Sequence, residues 1–154
     1  MLRCRSRVSR AALLLSALLA TPAAAAESGV TARGTAGLAP LRFAARNDGG
    51  EAMSCAVATA HWYSVDLGTA APGATLRQTF WATPATGEIV ILNAHGDRMP
   101  VQALWCGLAG RAWDTRAAIE LERRAGRRPA PVHVACRAAS GPLRCTGLPP
   151  DRKG

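Results

Sequence analysis

Cysteines, histidines and clustered arginines are the residues of this 154-residue chain whose chemistry can be weighed first. Cys55, Cys106, Cys136 and Cys145 form an even set, with Cys4 standing apart near the N-terminus. In an oxidising compartment such a set pairs into two disulfides. Cys136 and Cys145 flank RAASGPLR, where Ser140, Gly141 and Pro142 form a turn that brings the two ends together. The expected pairs are therefore Cys136–Cys145 and Cys55–Cys106. Loop-closure entropy assigns roughly 3 kcal/mol to the short loop and roughly 4 to the long one. Zinc is the competing chemistry, but the chain has no C-x-x-C pair, and only His133 stands close to a cysteine, Cys136. The missing C-x-x-C also argues against a redox-active pair.

The histidines are His61, His95 and His133. Ser54, Ser64 and Ser140 are the serines considered as nucleophiles, and none sits in G-x-S-x-G. Ser64, His61 and Asp66 could be written as a triad, but in a regular strand His61 faces away from the other two. Transition-metal binding is the sharper alternative: His95-x-x-x-Met99 with His61 or His133 would suit copper or zinc. Against a blue-copper centre, Cys106 is followed by GLAGRAW, which contains neither a histidine nor a methionine. Glu120 and Glu122 share one strand face and read as a solvated charge ladder beside Arg116. There is no phosphate loop, EF-hand loop or H-E-x-x-H. Catalysis is thus less well supported than binding.

Two loops carry the binding candidates. In GLAGRAWD, residues 107–114, Trp113 is flanked by Arg111 and Asp114 between glycines. A tryptophan on a loop of a rigid frame is a common binding anchor. Arg123, Arg124, Arg127 and Arg128 surround Gly126 and create a local positive field. Guanidinium groups suit carboxylates and phosphates, so an anionic glycan, a lipid headgroup or an acidic periplasmic protein is the expected partner.

The N-terminus changes the charge reading. Arg3, Arg5, Arg7 and Arg10 precede an uncharged apolar run over residues 11–20, and Ala24-Ala25-Ala26 supplies a small-residue exit before Glu27. This predicts a bacterial secretory signal over residues 1–26, with Cys4 leaving in it. The run is too short for a bilayer of roughly 30 Å. Removal leaves 128 residues with 15 basic and 10 acidic side chains, so the net charge falls from +9 to +5. That is enough chain for one core. No later segment is apolar for long enough to cross a membrane as a helix. Export makes nucleic acid an unsuitable partner and the periplasm or the medium the expected location.

The elements positioning these residues read as short strands. Residues 27–39 form a small, polar leader with an edge strand near Val30. Leu41, Phe43 and Ala45 alternate with Arg42 and Arg46, and Asn47 to Gly50 turn the chain. Cys55–Asp66, Thr75–Trp81, Glu88–Asn93 and Val101–Cys106 follow as strands. Residues 116–122 (RAAIELE) alternate like a strand although their propensity is helical, and they are expected to pair with Val132–Cys136. Residues 147–154 read as a disordered tail.

About seven strands separated by turn signals predict an all-β sandwich over residues 40–146. Trp62 and Trp105 near Cys55 and Cys106 suit an immunoglobulin-like core. The run DLGTAAPGATLRQTF resembles the strand–turn–strand of exported bacterial immunoglobulin-like and fibronectin-like domains. That resemblance implies architecture alone. The functional expectation is an exported, non-enzymatic cell-envelope binding or accessory module.

Overall fold

Alternating burial marks the inward face of the first strands, Ala39–Asn47 and Met53–Thr59. The computed structural model describes residues 32–60, 63–138 and 141–149, and these form nine β-strands and no α-helix. In chain order they are β1 (Ala39–Asn47), β2 (Met53–Thr59), β3 (Ser64–Ala70), β4 (Thr75–Ala82) and β5 (Ile89–Leu92). Then come β6 (Arg98–Leu108), β7 (Ala117–Ile119), β8 (Val132–Arg137) and β9 (Arg144–Gly147). The signal segment, residues 27–31 of the leader, His61, Trp62, Ser140 and residues 150–154 lie outside the described residues.

The strands run β3-β2-β6-β5-β4-β1-β8-β9, with β7 also on β6. All pairs are antiparallel except β1 with β8. The long strand β6 joins two ladders. Its residues 98–100 pair with β5, and its residues 101–108 pair with β2. Leu41, Phe43, Val57, Phe80, Ile89 and Leu104 belong to one hydrophobic core fed by both ladders. Phe43 and Phe80 are fully buried, with ring centroids 6.0 Å apart.

Both disulfides form as the spacing predicts, and each joins residues directly opposite on neighbouring strands. Cys55 faces Cys106 across β2 and β6, and Cys136 faces Cys145 across β8 and β9. The immunoglobulin arrangement has its disulfide between two sheets. Here Cys55–Cys106 lies within one ladder, and Trp105 points to the opposite face from Cys106, as adjacent strand residues must.

Several expectations need correction. Residues 55–66 are not one strand. The chain reverses between β2 and β3, where Thr59 N donates to Tyr63 O at 2.8 Å and the Thr59 hydroxyl reaches the same oxygen at 3.1 Å. Nothing in CAVATAHWYSVD carries the usual Gly or Pro signal for that reversal. Residues 116–122 contribute only β7, which pairs with β6; β8 instead pairs in parallel with β1. Residues 120–131 are therefore a crossover between ladders rather than a hairpin tip. Gly147, assigned to the tail, pairs with Val134, and Leu148 N donates to His133 O at 2.7 Å. The segment DLGTAAPGATLRQTF does form strand, turn and strand, but β3 pairs with β2 while β4 pairs with β1 and β5.

The N-terminal approach is tied to the start of β6. Arg33 bridges to Asp97, and Arg98 donates to the carbonyls of Gly34 and Ala36 at 2.8 and 2.6 Å. The Asn93 amide and the Arg33 guanidinium hold the Asp97 carboxyl below its ordinary range.

At the end of β1, Asn47 is fully buried and uses its whole amide. Its Nδ2 donates to Glu51 O and Ala70 O at 2.9 and 3.0 Å, and its Oδ1 accepts from Gly49 N at 3.0 Å. Asn47→Ala would leave those buried groups unpaired. The expected loss is about 2–3 kcal/mol of unfolding free energy in a urea titration.

Candidate functional site

The tryptophan loop is built on the end of β6. The loop folds back tightly over the strand, so that Gly107 is buried and a Cβ there would overlap the backbone of Ala112. Thr115 fastens the return: its hydroxyl accepts from Leu108 N and donates to Arg111 O, both at 2.8 Å. Thr115 O in turn accepts from Leu143 N at 2.8 Å, tying the loop to the approach to β9.

Trp113 stands at the tip with 64 % of its surface exposed. It is nonetheless held on two sides. The ring of Trp105 meets it edge-on, centroids 6.0 Å apart and planes at 86°. The Arg116 guanidinium lies 3.9 Å from its ring centroid, and Arg116 also donates to Trp113 O at 2.6 Å. Edge-on aromatic contacts and cation–π stacking each contribute about 0.5–1.5 kcal/mol. Arg111 instead reaches back to Glu51, at 3.0 and 3.2 Å from the two carboxylate oxygens. Asp114 is exposed. Sequence reasoning selected Trp113, Arg111 and Asp114 but missed Arg116, whose spacing of three from Trp113 was the available signal.

The four arginines of the crossover do not act together. Arg123 turns inward along β6, donating to Val101 O at 2.9 Å and to Gln102 O and Leu121 O at 3.3 Å. This is a stretch of β6 between its β5 partner, which ends at Pro100, and its β7 partner, which begins at Leu104. A register shift opposite Ala58 and Thr59 falls at the same place. A bulge leaves ladder groups unpaired, and the guanidinium supplies the donors. Arg123 is thus a latch of the fold. Arg124 pairs with Glu122 at 2.6 Å. Arg127 and Arg128 are exposed and, with Arg124 and Glu122, line a depression of about 160 Å³.

The metal candidates are dispersed. His95 is exposed in the turn ahead of β6, where Asn93 Oδ1 accepts its backbone N–H at 2.9 Å. Met99 lies on β6 against the core. His133 is on β8, separated from β6 by β5, β4 and β1 in the strand order. All four cysteines of the described residues are oxidised. Among the described residues no group of three His, Cys, Asp or Glu is placed to hold a metal ion. Ser64 and Asp66 are exposed on β3, and Asp66 Oδ1 accepts from Gly68 N at 2.9 Å. Ser54 is on β2, half-buried.

Comparisons with protein-family models, with curated proteins and with solved structures find no match for this chain.

Proposed function

We propose that this chain is an exported, non-enzymatic binding or accessory module of the bacterial cell envelope that engages its partner through loop 107–114. One observation carries the reading: Trp113 is mostly exposed yet held by Trp105 and Arg116. A large apolar ring normally loses rotamer freedom on binding, at about 0.5–1.5 kcal/mol per side chain. A ring already clamped avoids most of that cost. The two disulfides suit an oxidising compartment. The immunoglobulin-like scheme enters only as a parallel, a β-frame whose loops bind while its core stays rigid. Exposed Arg127 and Arg128 form an accessory anionic contact in the same reading.

The test is capture from the protein's own envelope extract. Wild type is expected to retain a partner that Trp113→Ala loses by at least tenfold, the loss of a binding anchor of 2 kcal/mol or more at about 1.4 kcal/mol per tenfold. Removing the ring also loses its Trp105 and Arg116 contacts, about 1–3 kcal/mol together, so the unfolding midpoint of the variant should fall by several degrees while it stays folded at the temperature of capture. Equal capture by both proteins would refute the proposal.

A further inference from the structure

Arginines scattered along the sequence converge on the outer face of one ladder. In β1, Leu41, Phe43 and Ala45 point into the core, so Arg42, Ala44 and Arg46 point out. The register places Arg77 beside Ala44 on one side and His133 beside it on the other. Beyond Arg46 on the same face come Arg137 and Arg144, directly opposite each other on β8 and β9. All five arginines are exposed. Arg46 is paired with Asp48, at 2.6 and 2.8 Å from the two carboxylate oxygens. Among the described residues, Arg42, Arg77, Arg137 and Arg144 make no ion pair.

With strands about 4.8 Å apart and two residues spanning about 6.8 Å, the step from Arg42 to Arg77, to Arg46 and to Arg137 is about 8 Å each time. The result is an extended stripe, roughly 20 Å along the strands, rather than a compact cluster. At its middle lies a depression of about 250 Å³, floored by Ala44 and walled by Arg46, Thr75, Arg77 and His133. Alanine at that row leaves room that any larger residue would fill.

We propose that this face binds a linear anionic polysaccharide, with one acidic group seated in the depression over Ala44 and neighbouring groups along the arginine stripe. Charge complementarity and shape select the partner. Arg42 and Arg77, about 8 Å apart on one side of the depression, and Arg137 and Arg144 beyond it, with Arg46 held by Asp48 between them, match an extended chain that bears acidic groups at intervals along its length. The stripe carries no exposed aromatic platform between its arginines of the kind that single-stranded nucleic acid uses for base stacking. The face is separate from loop 107–114, so the proposal does not depend on the role of Trp113.

The experiment measures binding of the disulfide-intact protein to two probes, heparin and polygalacturonate, from 50 to 200 mM salt. With four unpaired arginines in contact, at a salt slope of about −0.7 per contact, affinity falls roughly fiftyfold over that range. Arg42→Ala/Arg77→Ala/Arg144→Ala should therefore lower affinity at 50 mM salt at least tenfold and flatten the salt dependence. Ala44→Glu, which removes no arginine, should weaken binding as well, whereas Arg127→Ala/Arg128→Ala should leave it within twofold. Near-ultraviolet circular dichroism checks that each variant retains its fold. Affinity of the triple variant within twofold of wild type would overturn the proposal. So would tighter binding of single-stranded DNA than of either polysaccharide at equal charge.

Discussion

Replacing Cys55 and Cys106 together by alanine is expected to lower the unfolding free energy by about 4 kcal/mol. The bond closes a loop of 51 residues, and the cost of ordering that loop in the unfolded chain is what the bond removes. Domains of this size have about 5–15 kcal/mol in total, so the loss is a large share. It is also locally placed. The pair joins β2 to the half of β6 that carries Trp105 and leads into loop 107–114. Urea unfolding under oxidising conditions should show a lower midpoint. The Cys136→Ala/Cys145→Ala variant, closing only nine residues of separation, should lose about 3 kcal/mol. Equal stability of the long-loop variant and wild type would contradict this account.

Gly107→Ala is expected to be among the most damaging single substitutions, at about 3 kcal/mol or more. An added Cβ would lie 2.6 and 2.8 Å from Ala112 Cα and C and closer still to its carbonyl oxygen. Those are backbone atoms, so no side-chain rotation relieves the overlap. The loop must lift, which breaks the Thr115 bonds to Leu108 and Arg111 and separates Trp113 from Trp105. Tryptophan fluorescence should report that separation before global unfolding. Gly110→Ala is the comparison within the same loop. Gly110 has a φ of 79° but open space around it, so only the conformational cost of about 1–2 kcal/mol applies.

Local signals carried much of the all-β architecture. β1, β4 and β5 were legible because alternation or a short apolar run leaves a direct imprint on sequence. The Cys136–Cys145 bond was legible because its turn lies between the two cysteines. The β2–β3 reversal was not, because Thr59 hydroxyl bonding replaces the expected Gly or Pro. The partner of β8 was not legible either. A parallel pairing with β1 depends on a crossover and leaves no turn between the two strands.

The site shows the same division. Trp113 stood out because a tryptophan among glycines in a loop is unusual composition. Arg123, Arg124, Arg127 and Arg128 stood out because they are contiguous, yet bulge carbonyls engage the first and Glu122 the second. The outer-face stripe is not legible in the sequence, for the opposite reason. Arg42, Arg77 and Arg144 are far apart in sequence, and only the register of β4, β1, β8 and β9 brings them into line.

The parallel pairing of β1 with β8 has a kinetic consequence. β1 emerges first during synthesis, but one of its two neighbours belongs to the last strands of the chain. Until β8 arrives, β1 presents an open hydrogen-bonding edge whose other face is Leu41, Phe43 and Ala45. High contact order of this kind places folding on the order of milliseconds to seconds. The domain therefore cannot complete itself vectorially from its N-terminus; its core closes only when nearly the whole chain is available. A C-terminal truncation before Val132 would strand β1 with an unsatisfied edge and convert the first strand made into the site where neighbouring molecules add.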